Sequence, residues 1–150
     1  MAVKPAKIIL AYLAGLIDGE GCITINKRQR LRHNNLGSNQ FKKGKIERKD
    51  EYYPDYTLFL IIVQKDRILT DWLKGNFNGS LGLVTSHNDG YHRWVLSSNN
   101  ALELLKKIKP YLILKREQAL IAIEFGKHMN RNLYKRLTEE KTEVREKYYQ

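Results

Sequence analysis

Twice along this 150-residue chain a helical spacing of apolar residues gives way abruptly to a strand spacing. That repeated switch restricts the fold more than any other feature. Pro5 suits the first turn of a helix, because its fixed φ is helical and the N–H it lacks would be unpaired there anyway. Ile8, Ile9, Tyr12, Leu13, Leu16 and Ile17 then recur at helical spacing, and Asp18-Gly19-Glu20-Gly21 stops them. Ile23 and Ile25 follow, alternating with Thr24, Asn26 and Arg28, a strand with one wet face. Residues 33–55 read as a long loop or hairpin tip, and residues 56–64 (YTLFLIIVQ) as a strong strand. The pattern then repeats. Asp66 caps a short helix with Ile68, Leu69, Trp72 and Leu73 inward. Residues 79–87 and 91–97 flank the turn Asn88-Asp89-Gly90. Ser98 or Asn99 caps a helix carrying Leu102, Leu105 and Ile108, which Pro110 ends. A helix over about 115–129 and a charged helical tail from about Tyr134 complete the chain. Two αββ halves of this kind predict an α+β fold, αββαββα, with one four-stranded antiparallel sheet and helices on one face. The other face is expected to be polar and basic.

This length is enough for one domain with its own core and no staples. The expected division is a core over about 5–130 and a helical extension over about 131–150. Cys22 is the one cysteine, which rules out an internal disulfide and any cysteine-rich zinc site. The apolar runs are too short to span a bilayer and no secretory signal is evident, so an intracellular protein is expected. The charge is uneven. Residues 1–50 carry 11 basic and 4 acidic groups, residues 51–100 carry 4 and 5, and residues 101–150 carry 12 and 7. Between Lys27 and Lys49 nine basic groups face one acid, Glu47. Such a strip fits a polyanion, nucleic acid first of all, and equally fits a solvated loop.

Residues 13–21 read LAGLIDGEG. A helix that ends in glycine beside acids is common, but that does not account for Gly15 in the helix interior, where glycine costs about 1 kcal/mol against alanine. Ala11, Ala14 and Gly15 would form a small face that lets another helix backbone approach. The segment resembles the signature of the LAGLIDADG homing endonucleases. The resemblance extends to Pro110-Tyr111-Leu112-Ile113-Leu114-Lys115-Arg116-Glu117-Gln118, similar to the family's Pro-aromatic-Leu-x-Leu-Lys stretch, and to Gln64-Lys65 after the apolar strand. It implies a sheet shaped as a DNA-binding saddle. Since the chain has one motif, it also implies a homodimer whose motif helices pack across a two-fold axis.

The same resemblance assigns metal binding to Gly19, through its carbonyl, and to Glu20, which replaces the more usual Asp. The cofactor implied is Mg²⁺, with Mn²⁺ as another option. Glu20, Gln64 and Lys115 are the implied catalytic residues: the acid holds the ion, the glutamine orients water, and the lysine offsets charge at the scissile phosphate. Asp18 reads instead as a helix-end hydrogen bonder, with metal binding as the other option. A basic residue of the family falls at Ile68 here, which leaves three options: Arg67 substitutes for it, Lys65 does, or the role is missing. Alternation predicts that Cys22, Thr24, Asn26, Arg28, Arg30 and Arg32 face DNA from the first hairpin, and Thr85, His87, Arg93 and Val95 from the second.

The function implied is sequence-specific, metal-dependent cutting of double-stranded DNA at a long near-palindromic site, leaving 3′ overhangs, by an enzyme encoded in a mobile intron or intein. The alternative is an intron-splicing maturase or a DNA-binding regulator on the same fold, with its own intron RNA as a partner. Retention of Glu20, Gln64 and Lys115 favours the enzyme. A general RNA binder ranks last, because it would need stacking aromatics on the open sheet face.

Overall fold

A computed structural model describes residues 6–32, 51–84, 90–129 and 146–149. Helix α1 (Lys7–Glu20) buries Leu13, Ala14 and Ile17. It ends within the Asp18-Gly19-Glu20-Gly21 stretch, as expected, with Glu20 its last residue and Gly21 its C-cap. The Gly21 N–H donates to the carbonyls of Ile17 and Leu16 while its backbone is already extended. A Cβ here would lie 2.6 Å from the Ile17 Cα, so only glycine lets the chain turn this tightly from helix to strand.

Strand β1 (Gly21–Arg32) pairs antiparallel with β2 (Glu51–Gln64), which begins five residues earlier than the apolar run suggested. Helix α2 (Arg67–Phe77) is capped as expected, the Asp66 carboxylate accepting from the Ile68 N–H at 2.8 Å. Its buried stripe is Thr70, Leu73 and Phe77, with Leu69 and Trp72 partly buried beside it. Ile68 was expected inward but is 76% exposed. At about 100° per residue it falls nearly opposite the Leu69–Leu73–Phe77 stripe. Strand β3 (Ser80–Val84) and strand β4 (Tyr91–Ser97) form the second hairpin, and α3 (Ser98–Ile108) follows directly. A 3₁₀ turn (Lys109–Tyr111) holds Pro110, and α4 (Arg116–Lys127) completes the core.

The sheet order is β1-β2-β4-β3. Residues paired across strands share a face. Ile23 with Leu60, Ile25 with Leu58, and Ile62 with Trp94 therefore lie together, as do Leu60 and Leu96. Leu58, Leu60, Ile62 and Trp94 are fully buried and share one core with Leu13, Ile17, Leu73, Leu105, Ile108 and Phe125 of the helices. The opposite face carries Cys22, Thr24, Asn26, Arg28 and Arg30 from β1, Phe59, Ile61 and Val63 from β2, and Arg93 and Val95 from β4. It is basic towards one end, as expected, but its centre is apolar. The cause is legible in YTLFLIIVQ, where both parities are apolar, so β2 cannot present a polar face whichever way it turns.

Candidate nucleic-acid interface

Two helix ends meet at the motif and cap one another. The Asp18 carboxylate accepts backbone N–H bonds from Ile113 at 2.7 Å and Lys115 at 2.9 Å, in the turn that leads into α4. The Lys115 ammonium returns the contact, donating to the carbonyls of Ile17 at 2.6 Å, Gly21 at 2.7 Å and Asp18 at 3.1 Å. A lysine has three N–H donors, so all are engaged at the C-terminal end of α1, where the helix dipole also favours a cation. Partial burial pushes the Asp18 carboxyl upward, but the N–H bonds from Ile113, Lys115 and Leu114, with the Lys115 charge, outweigh it and hold the group below its ordinary value. Asp18 is thus a helix-end hydrogen bonder, the role its position suggested.

This lock presents the rest of the motif. Gly19 and Glu20 occupy the last turn of α1, and Glu20 is exposed. Gln64 ends β2 opposite His92 and is half-buried. Lys65 is exposed between β2 and α2. Arg67 is tied to Asp71 one turn along α2, with Nε to oxygen at 3.0 Å. Among the described residues, no group of three His, Cys, Asp or Glu side chains could hold a metal ion. What the α1 end offers is one free carboxylate beside peptide oxygens, a hard donor set suited to Mg²⁺, Mn²⁺ or Ca²⁺ rather than to a thiophilic ion.

The small face expected on α1 is divided. Ala11 and Gly15 are exposed, whereas Ala14 is fully buried in the chain's own core. The outward stripe is instead Ile8, Ala11, Gly15 and Gly19, because steps of three and four residues keep to one side of a helix. Ile8 is 82% exposed, and Cβ atoms added at Gly15 or Gly19 would meet nothing within 4 Å. Nothing within the described chain requires glycine at either position.

From the α1 end the open sheet face extends outward along the first hairpin. Thr24 sits across from Phe59, Asn26 from Thr57, and Arg28 from Asp55. The Arg28 guanidinium lies 5.9 Å from the Phe59 ring centroid, and Arg30 Nε is 2.8 Å from the Asp55 carboxylate. Arg93 is exposed in the row of Val63 and Gly82. Arg32 closes β1, but its side chain, with Thr85 and His87, lies outside the described residues, as do 33–50 of the basic strip.

Lys27 belongs to the other face. It pairs with Glu146 at 2.8 Å and lies 5.6 Å from the Tyr56 ring, whose hydroxyl also donates to Glu146. The hydrogen bond from Lys27, then that from Tyr56, holds the Glu146 carboxyl below its ordinary value. Residues 146–149 therefore support the helix side of the hairpin, and Tyr149 meets Tyr56 edge-on at 5.9 Å. Nothing in the spacing of the sequence announced that contact. The apolar group on the open face, by contrast, could have been found by reading both parities of β2.

The family model for "LAGLIDADG endonuclease" matches residues 13–119. No curated protein sequence matches the chain significantly. Among solved structures, the homing endonuclease I-CvuI in complex with its target is 19% identical, with a TM-score of 0.60 and 95% of each chain covered. An archaeal intron-encoded homing endonuclease complexed with DNA is 15% identical, with a TM-score of 0.65, covering 93% of this chain and 79% of that one. The meganuclease I-AabMI bound to uncleaved DNA is 20% identical, with a TM-score of 0.61. It aligns with 93% of this chain, which spans only 43% of its length. No helix among the described residues is long and apolar enough to cross a membrane. With more than two thirds of its length inside the family model, and with the fold of these neighbours, the chain belongs to the LAGLIDADG endonuclease family.

Proposed function

We propose that this protein is a sequence-specific, divalent-metal-dependent DNA endonuclease that acts as a homodimer on a long near-palindromic site and leaves 3′ overhangs. The observation that carries the reading is the juxtaposition at the end of α1. An exposed carboxylate, Glu20, sits on a helix terminus locked by Asp18 and Lys115, and that terminus adjoins an uncovered sheet face with Arg28, Arg30 and Arg93. The lock keeps Glu20 in register with the sheet, as cutting at a fixed position within a recognised sequence requires.

Glu20 and the Gly19 carbonyl are the groups that would hold the ion. Bound there, a divalent cation would supply a more acidic water and charge stabilisation for the leaving 3′ oxygen. Gln64 orients the attacking water from the end of β2. Lys115 keeps positive charge beside the scissile phosphate, though in this arrangement its donors serve α1 first. Thr24, Asn26, Arg28, Arg30 and Arg93 contact the duplex, with Arg32, Thr85 and His87 as further candidates.

One motif per chain supplies one cutting centre, so two strands need two copies. The outward stripe of Ile8, Ala11, Gly15 and Gly19 supports pairing through α1, and glycine in mid-helix is intelligible if a second backbone comes close. Sedimentation should give a dimer for the wild type and a monomer for Gly15→Leu. A wild-type monomer on a full-length site would overturn the dimer. For the activity, a plasmid carrying the uninterrupted intron-insertion region should be linearised in Mg²⁺ and not in EDTA. An uncut plasmid with the protein bound would overturn the nuclease and leave a binder.

A further inference from the structure

Resting on that reading, we propose that Ile61, Val63 and Val95 form a reader of thymine methyl groups in the inner part of each half-site. Cys22, Ile61, Val95 and Ser80 lie in one row across all four strands, and Val63, Arg93 and Gly82 lie in the next. Val63 is 37% exposed, and Ile61 and Val95 are partly exposed. The core does not need them. Leu58, Leu60, Ile62, Trp94 and Leu96, all at most 3% exposed, already fill the helix side of the same strands.

The location is inner because Gly21 pairs with Ile62, which places the row of Val63 beside the Glu20 end of α1. Same-face neighbours along a strand are about 7 Å apart and adjacent strands about 4.8 Å. Two such rows cover about two to three base pairs at about 3.4 Å each. Polar groups border the patch: Arg93 beside Val63, and Arg28 at the Phe59 ring on the outer side.

Within the major groove, base edges present hydrogen-bond donors and acceptors, with one apolar exception, the C5-methyl of thymine. Branched aliphatic side chains pressed on any other edge strip it of water and give nothing back. Against a thymine methyl they bury apolar surface on both sides. A face of this composition therefore selects for thymine where the patch sits, while the arginines on its borders read guanine or phosphate.

The test begins with selection of binding sites from randomised duplexes using the full-length wild type. Thymine should be enriched at two or three adjacent inner positions of each half-site. In the selected site, replacing those thymines by deoxyuridine, which lacks only the methyl, should weaken binding about three- to fourfold per methyl. The same replacement at outer positions should change little. Val63→Thr keeps the shape of the side chain and should reduce the penalty for deoxyuridine. Inner positions without thymine, or equal affinity for the deoxyuridine site, would overturn this inference alone. Failure to enrich any sequence would overturn the DNA-reading function on which it rests.

Discussion

The inner and outer ends of the open sheet face are held by different physics. At the inner end, Asp18 and Lys115 fasten the motif helix to the turn before α4 through five hydrogen bonds to backbone groups, and the sheet beneath rests on a fully buried core. At the outer end, the support comes from side chains at the surface: Arg30 on Asp55, and Lys27 on Glu146. Contacts of the first kind are directional, tie charged side chains to fixed backbone groups, and are screened less by salt. Contacts of the second kind are screened, individually weak, and free to rearrange against a ligand. The contrast suits a molecule in which chemistry happens at one end and a polyanion is tracked at the other.

The largest test of that contrast lies at Glu20. Glu20→Gln keeps size and hydrogen bonding but removes the charge that would hold the ion. Cleavage should fall by roughly three orders of magnitude or more, while dimerisation and site binding persist. Binding without Mg²⁺ should tighten, because a carboxylate no longer faces phosphate. Cutting at the wild-type rate would make the inner end a structural cap and nothing more.

Asp18→Asn tests the lock itself. A depressed carboxyl pKa in the folded state stabilises above the ordinary value of 3.8 and loses that contribution as pH falls through the folded value. The variant should be less stable at pH 7 by about 1–2 kcal/mol, since the amide offers one acceptor oxygen to two N–H groups. The charge-dependent part of the deficit should begin to shrink below about pH 4, where the unfolded chain takes up the proton, and be gone once pH falls below the lowered folded value. A deficit constant from pH 7 to pH 2, followed by denaturant unfolding, would mean that the charge is irrelevant.

At the outer end the effects should be smaller and salt-dependent. Arg28→Ala should reduce affinity by about tenfold at low salt and lower the slope of log K against log salt by about one if the contact is to phosphate. Arg30→Ala should cost less, because Asp55 already offsets part of its charge. The smallest effect belongs to Glu146→Gln. Amide exchange at the outer end of the first hairpin should quicken at low salt, with the melting temperature hardly moved. A cooperative loss of the whole fold in this variant would erase the distinction between the two ends.

The αββαββα order was legible because each switch of period carries its own stop signal, as at Gly21 and Asp66. Arg28 and Arg93 could be placed on the open face by alternation alone. Ala14 could not be assigned in the same way. A helix residue next to an exposed glycine is turned by about 100°, and whether it meets the core depends on where the sheet passes. The apolar centre of the open face was hidden by the very strength of the strand signal in residues 56–64. The link from Glu146 to Lys27 joins positions 119 residues apart and leaves no periodic trace.

The bond from Ile113 to Asp18 has a consequence in time as well as in space. It closes a separation of 95 residues, so its two ends must find each other across a long loop, at an entropic cost that no local contact of α1 carries. Until they do, the last turn of α1 is unanchored and Glu20 has no fixed relation to the sheet.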